Sequence, residues 1–517
     1  MPGAAAAIEP YRSDFARAER EVFPGRPAWI ADLRREAMGR FETLGFPTPE
    51  DEDWRGTPVA PIARAPFSAA GPADPGEARA LAGARLADLG TVRVVFVNGR
   101  FAPSLSSPLE GSGVFAGPLG GALASREEEV GRRLGRIAPH ADRVFAALNS
   151  ALSDDAAVVV FEEGASPREP VHVLHLALPA GDALATYPRT LVIAGPGSRA
   201  SVIETYLGEA ALPHLTCAVT EIDVADGASL EHSRVQTEAR SALHVAALHA
   251  RLGRESRLVS HNVSLGSALA RLELEAVLGG EGSDCTLNGL YLADASRHVD
   301  HRTTVEHAVP RAASRQTYRG ILGGAARAVF RGRIRVAPGA QQTDAFQSNR
   351  NLLLSDEALV CSRPQLEIRA DDVRCTHGAT VGRLDANALF YLRSRGVGAG
   401  EARRLLTEAF AGEVLGRIGF GPLREEVTAE TSARSAAAAG EGGARGARWA
   451  SPRPRGAPPT TWRGSGRTSR SSGGSCTGSR SCTSTTPRAP RSRRRSSTRW
   501  PGSTPTGTRT STAASTC

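Results

Sequence analysis

Between about residue 190 and residue 385 the chain is written in short alternating runs, each closed by a single turn. Leu191-Val-Ile193, Val202-Ile-Glu204, Cys217–Val224, Leu230–Val235 and Val245–Leu252 are of strand length, and no long helical period interrupts them. Turn markers stand at Gly197, Gly227, Gly253, Gly266, Gly282, Gly324, Gly339, Asp356 and Asp371. Their gaps of 30, 26, 13, 16, 42, 15, 17 and 15 residues are mostly one unit or a multiple of it. Asn288-Gly289 and Asp226-Gly227 are sparse hairpin signals. Many short strands at regular spacing mean a sandwich, a barrel or a solenoid. The length favours a solenoid, a mainly β fold whose ends need non-repeating caps, while period alone leaves a large sandwich open.

Flanking this stretch the texture is helical or mixed. Trp29, Ile30, Leu33, Ala37, Phe41 and Leu44 form one apolar stripe, which Gly45 stops and Pro47 keeps from resuming. An acidic turn follows around Trp54. The Ala/Gly/Pro-rich segment from Pro58 to about Pro139 gives little beyond a strand at Val92–Val97, and residues 156–161 and 171–178 read as strands. After residue 385 the helical period returns at Leu389 and Leu392, then at Ala402, Leu405, Leu406, Ala409, Phe410 and Val414. These two short helices either cap the solenoid or offer a groove-binding helix to a partner. The expected divisions are a helical and mixed region over 1–165, the solenoid core over 166–384, a helical region over 385–428 and a disordered tail over 429–517.

Charge separates the tail from the body. All 63 basic residues are arginine, so neither a pyridoxal-phosphate Schiff base nor a phosphate-loop lysine can be built on this chain. Thirteen of the arginines lie in 451–517 with no acid among them, leaving the body with 50 arginines against 54 acids. A mildly acidic body gives no support to specific nucleic-acid binding, and the tail's Ala/Gly/Ser/Thr/Pro/Arg composition cannot bury a core. Seven cysteines without a Cys-x-x-Cys pair are neither a disulfide scaffold nor a zinc finger. No signal-peptide pattern and no membrane-length apolar run is present, so the expected setting is the cytoplasm, with reduced thiols.

The sharpest chemical feature is Asp371-Asp-Val-Arg-Cys375-Thr-His377-Gly378-Ala-Thr. Residues two apart on a strand share a face, so Cys375 and His377 present a thiol and an imidazole side by side. These donors suit iron, zinc or sulfide chemistry. A buried thiol beside a hydrogen-bonded histidine is the plainer alternative, and spacing alone favours it. If the pair does bind a cluster, a second chain must complete the usual four or so ligands. His298-Val-Asp-His301 with His307 ranks second and reads more readily as a polar ladder on the solenoid, with His301 and His307 on one face and His298 on the other. Arg319, Arg331, Arg333 and Arg335 read as a basic strand face, solvated or paired with acids of neighbouring coils.

A family resemblance rests on these and further residues. Gly289-Leu-Tyr-Leu292, His298-Val-Asp-His301-Arg-Thr-Thr-Val-Glu-His307, Ser314-Arg-Gln-Thr-Tyr318-Arg-Gly320 and Phe330-Arg-Gly-Arg-Ile334 resemble the core of the SufB/SufD family. So do Ala340-Gln-Gln-Thr-Asp344, Asn349-Arg-Asn-Leu-Leu-Leu354 and Pro364-Gln-Leu-Glu-Ile368. The Cys375-Thr-His377 run resembles the SufD branch rather than the Glu-His-Glu-Ala-Thr of the SufB branch. Pro47-Thr-Pro-Glu-Asp-Glu-Asp-Trp54-Arg55 and Tyr391-Leu-Arg-Ser-Arg-Gly396 resemble the family's terminal signatures, so the match runs in order over roughly residues 15–425.

The resemblance implies a right-handed parallel β-helix between helical ends and a non-catalytic scaffold role in iron–sulfur cluster assembly. It implies as partners a SufB paralogue and the ABC-type ATPase SufC, with SufC alone holding ATP and docking near 385–425, and sulfur supplied by a cysteine desulfurase system. His377, with Cys375 beside it, falls at the position implied to share a nascent cluster at the SufB–SufD interface. A reduced flavin is implied for the complex, with no residue here to place it. A β-helix carbohydrate-active enzyme and a purely structural solenoid are the rival readings, the first weakened by dispersed acids. The tail departs from the family. One reading makes it a genuine arginine-rich arm; the one preferred here is out-of-frame translation. A frame shift from Ser503 permits Tyr-Ala-Asp-Trp-Asn-Ala-Asn-Val-His-Arg-Gly-Val-His, and across Cys482–Ala489 it permits Tyr-Leu-Asp-Asn-Ala-Ala-Ser, both resembling the start of a cysteine desulfurase.

Overall fold

The computed structural model describes residues 4–440 apart from 49, 85, 108, 112, 179–182 and 209–212. Most of the expected tail, 441–517, therefore lies outside the described residues.

The N-terminal region holds α1 (Ala4–Glu21), α2 (Ala28–Leu44), α3 (Ala60–Ala63), α4 (Pro75–Ala82), α5 (Leu119–Gly131) and α6 (Val144–Leu152). Helix α2 buries Ile30, Ala37 and Phe41 of the expected stripe, and the Gly45 N–H closes it on the Phe41 carbonyl. Helix α1 was hidden by its alanine-rich start and Pro10, yet it buries Ile8, Tyr11 and Ala18. Eight strands precede the repeating core: β1 (Ser68–Ala69), β2 (Val92–Val97), β3 (Arg100–Phe101), β4 (Leu109–Gly111), β5 (Val114–Pro118), β6 (Ala157–Phe161), β7 (Val171–Ala177) and β8 (Leu184–Thr186).

From Arg189 the chain winds as a parallel β-solenoid of seven turns with two strands in each. The turns are β9 (Arg189–Ala194) with β10 (Arg199–Gly208), β11 (His214–Val224) with β12 (Ser229–Gln236), and β13 (Leu243–Leu252) with β14 (Arg257–Ser264). Next come β15 (Leu269–Leu278) with β16 (Asp284–Ala293) and β17 (His298–His307) with β18 (Ala313–Leu322). The last two are β19 (Arg327–Val336) with β20 (Thr343–Leu353) and β21 (Leu359–Ile368) with β22 (Val373–Gly382). Odd-numbered strands from β9 to β21 stack into one sheet and even-numbered strands from β10 to β22 into the other. Arg257 pairs with Asp284, Asp284 with Ala313 and Ala313 with Asp344, spacings of 27, 29 and 31 residues.

The period is set at one corner. Gly197, Gly227, Glu255, Gly282, Arg311 and Gln342 all have positive φ and succeed one another by about one turn. Gly197 N–H donates to Asp226, Gly227 to Arg254, Glu255 to Glu281, Arg311 to Gln341 and Gln342 to Asp372, each reaching a carbonyl of the next turn. Half of this column is not glycine, which is why glycine spacing alone gave an irregular period. Asp226-Gly227 is such a corner, whereas Asn288-Gly289 lies inside β16 and is no hairpin. Gly289 is there because the Tyr318 ring from the next turn fills the space of its missing side chain, 2.1 Å from where a Cβ would sit.

Between the sheets, Leu258, Leu272, Leu287, Tyr291, Tyr318 and Phe330 form a continuous core. Burial of each such side chain stabilises the fold by about 1.5–3 kcal/mol. The outer faces are covered unequally. Trp54 and Phe145 pack on Leu215, Leu243, Val245 and Leu269 of the first sheet. The C-terminal helices α8 (Ala399–Leu415) and α9 (Gly421–Gly440) lay Ala411, Leu415, Leu423 and Val427, with Ile418 of the link between them, on Val263, Leu290 and Ile321 of the second sheet. They lie along the solenoid's flank and do not cap its end. Helix α9 also runs past the boundary expected at residue 428. Arg434 donates to the Leu265 and Thr237 carbonyls there, so the stretch to Gly440 is part of the fold. Among the described residues the final turn is left open: β21 and β22 pair there only with β19 and β20, and most of their residues are exposed. No helix among the described residues is long and apolar enough to cross a membrane.

Candidate functional site at the open end

Cys375 and His377 lie on β22, in the last turn. Cys375 stacks on Ala345 and His377 on Gln347, both buried interior positions of β20. The two side chains therefore face the space between the sheets, at the end where no further turn of the described residues lies over them. Cys375 is half-covered by Leu366, Val373 and Ala345. Burial pushes its thiol pKa up, and the nearby Asp344 carboxylate adds to this. Unassisted, Cys375 is a protonated thiol; a metal ion is the kind of neighbour that would release the proton.

His377 differs from every other histidine of the chain. There are twelve, and the other eleven are buried. His301 sits between the rings of Tyr291 and Tyr318 and bonds to Ser264 Oγ at 2.9 Å. His307 bonds to Ser314 Oγ at 2.9 Å. Burial pushes the pKa of His301 down to about 3 and that of His307 to about 4, so both are neutral core groups. His298 is buried as well. The second-ranked histidine motif is thus interior polarity, with its aspartate as the working member. Asp300, fully buried, pairs with Arg271 and Arg302 and accepts from Thr57 Oγ1. Arg271 in turn lies 3.7 Å from the Trp54 ring centroid. Asp300 therefore fastens the acidic Trp54 turn to the outside of the first sheet.

The expected basic face divides in two. Arg331, Arg333 and Arg335 share the outer face of β19, where Arg331 donates to the Glu52 and Arg55 carbonyls and the other two pair with Glu367. Arg319 belongs to the other sheet and pairs with Glu413 of α8 beneath Phe410. Only Arg333 and Arg335 pair with an acid of a neighbouring coil as expected; Arg331 meets main-chain carbonyls of the Trp54 turn and Arg319 a helix carboxylate.

Sequence reasoning missed the polar groups under the mouth. Asn351 Nδ2 donates to Asn349 Oδ1 at 2.6 Å, and Asn349 Oδ1 also accepts from Ser362 Oγ at 2.9 Å. Gln347 Nε2 donates to Gln316 Oε1 at 3.1 Å, and Thr303 Oγ1 donates to the same oxygen at 2.7 Å. The signal was available as spacing: Gln316, Gln347 and His377 are about one turn apart. Among the described residues no three His, Cys, Asp or Glu side chains converge as a metal site, so Cys375 and His377 have no third such side chain beside them. In the groove beside Trp54 one face of the indole is taken by Arg271 and the ring's other neighbour is Phe145 at 5.0 Å, so this indole offers no free face on which a flavin could stack.

Comparison with known proteins agrees with this architecture. Residues 177–410 match the model of the SUF-system SufBD core domain of iron–sulfur cluster assembly, and residues 6–173 match that of the SufBD N-terminal region. The chain is 35% identical over 396 residues to the iron–sulfur cluster assembly protein SufD of Escherichia coli, covering 75% of this chain and 89% of that protein. It is 31% identical to a Synechocystis protein of the iron–sulfur cluster assembly SufBD family, over 78% of this chain and 91% of the relative. The chloroplastic protein ABCI7 of Arabidopsis thaliana is 30% identical over 55% of this chain and 61% of its own length. With both domain models satisfied in order on a solenoid that ends in Cys375 and His377, this chain belongs to the SufB/SufD family of iron–sulfur cluster assembly proteins.

Proposed function

We propose that the chain is a SufD-type scaffold subunit that docks a SufB paralogue on its open last turn and shares a nascent iron–sulfur cluster there. The observation that carries this reading is the coincidence of two features in one turn. Strands β21 and β22 offer unpaired strand edges, and the same turn holds the exposed His377 and the half-covered Cys375. An open parallel sheet edge is a template for pairing with another chain. A second solenoid docked end to end would cover exposed Ile368 and Val381 and bring its own donors to the two waiting here. The cluster is cargo of the assembly. His377 supplies an imidazole nitrogen and Cys375 a thiolate once metal displaces its proton.

The chain itself performs no ATP hydrolysis in this reading, because it has no lysine for a phosphate loop. The ATPase SufC would dock on the C-terminal helices. Helix α7 (Ala386–Ser394), which follows β22 directly, leaves Phe390 74% and Tyr391 58% exposed, an apolar patch suited to such a contact. A cysteine desulfurase system would deliver sulfur to the assembled complex, and the setting is the cytoplasm.

Docking is tested by placing charge on the open turn. Ile368→Asp combined with Val381→Asp, both at exposed positions, should leave thermal unfolding of the chain unchanged. Co-purification with SufB should then be lost. Undiminished co-purification would place the SufB contact elsewhere.

A further inference from the structure

Resting on the reading of His377 as a cluster ligand, we propose that Gln347 positions its ring. Gln347 Oε1 accepts the N–H of one ring nitrogen, which fixes the tautomer and leaves the other nitrogen free as the donor to iron. His377 lies directly beyond Gln347 in register, on the next strand of the same sheet and the same interior face. Strands in a sheet lie about 4.8 Å apart, within reach of a glutamine amide and an imidazole that share a column.

The Gln347 amide is held from two sides. Across the interior it lies against Gly332 of β19. A Cβ at Gly332 would come 2.0 Å from Gln347 Nε2, 2.5 Å from its Cδ and 2.7 Å from its Oε1, so the amide occupies the volume of the absent side chain. On its inner side, Nε2 is committed to Gln316 Oε1 in the preceding turn, and Gln316 is anchored by Thr303. This leaves Gln347 Oε1 fully buried without a donor. A buried acceptor left unpaired costs on the order of 1–3 kcal/mol. With the nitrogen spent on the turn below, the oxygen is available to the turn above, where His377 occupies the matching position. A neutral imidazole has one N–H and one bare nitrogen, so accepting the former assigns the latter. Ligand histidines are commonly oriented through their second nitrogen in this way.

The test uses the full chain and its complex with SufB and SufC. Histidine labelled with ¹⁵N in the ring reports the tautomer from the two nitrogen shifts, and loss of signals in His377→Ala identifies the relevant ring. The wild-type chain should show one His377 tautomer. Gln347→Leu should show the mixture of a free imidazole, and its complex should lose most of its iron with folding unchanged by thermal unfolding. Gln347→Glu keeps an acceptor and can take a bond from Gln316 Nε2, which has no partner. It should restore the single tautomer and most of the iron, a rescue that a purely packing role would not produce. If Gln347→Leu keeps both the wild-type tautomer and its iron while His377→Ala loses iron, the positioning role is refuted and the ligand role stands. If His377→Ala itself keeps its iron, the ligand reading falls.

Discussion

The solenoid should come apart in mild acid, because it buries neutral histidines. Burial holds His172, His249 and His301 down to about 3 and His175 and His307 to about 4. An unfolded histidine titrates near 6.5. Between these values the unfolded chain binds protons that the native chain refuses, so stability falls as pH falls from about 6.5 towards 4. Each of the five groups then removes about 2 kcal/mol by pH 5, and together they approach about 10 kcal/mol, comparable to the whole stability of a typical domain. Glu204 acts lower. Burial opposes its ionisation, yet the His232 hydrogen bond prevails and holds its carboxyl at about 2, so its stabilisation is lost only as pH falls below about 4.5. The assay is denaturant unfolding at pH 7.5, 6 and 5. The wild-type chain should lose most of its stability by pH 5. His301→Gln keeps a polar group for Ser264 but no titrating ring, so its slope should be shallower by about 1.4 kcal/mol per pH unit. Equal stability at pH 7.5 and 5, or an unchanged slope in His301→Gln, would show that the buried histidines do not set the acid limit.

Three further outcomes follow from the packing. Gly289→Ala and Gly320→Ala place a Cβ 2.1 Å from the Tyr318 ring and 2.2 Å from the Tyr291 ring, so each should destabilise by about 1–3 kcal/mol or more in thermal unfolding. Asp300→Ala leaves Arg271 and Arg302 buried without their shared carboxylate; a loss of about 3–5 kcal/mol and faster proteolysis around Trp54 are expected. Truncation after residue 428 removes the Arg434 bonds to the Leu265 and Thr237 carbonyls together with buried Thr431 and Ser435, whereas truncation after residue 440 keeps them. The shorter chain should melt at a clearly lower temperature than the longer one.

The solenoid was legible because its strands alternate and its turns recur, a pattern that survives without knowledge of contacts. The period was blurred because the left-handed corner position is filled by Glu255, Arg311 and Gln342 in half the turns, and nothing local marks those residues as corners. Whether the two helices after residue 385 cap the solenoid or serve a partner stayed open, because an apolar stripe states that a face is buried, not what covers it; α8 lies along the flank instead. The extension of α9 to Gly440 was missed because Ala and Ser dominate its end, a composition shared by helices and tails. At the candidate site, the i, i+2 spacing placed Cys375 and His377 on one face, while a ligand role for them came only from the family resemblance. Gln347 gave no signal, because its neighbours lie one turn away at His377 and across the interior at Gly332. Asp300 was overshadowed by the histidines on either side of it, which serve packing.

A ligand role for His377 is tested most simply by the iron and sulfide content of the anaerobically purified complex with SufB and SufC, comparing wild type with His377→Ala. His377 is exposed, so the variant should fold and assemble normally. The variant complex should form in full yield and lose its cluster. A variant complex with wild-type iron and sulfide would contradict that role, making this chain a structural partner and placing the chemistry on other chains.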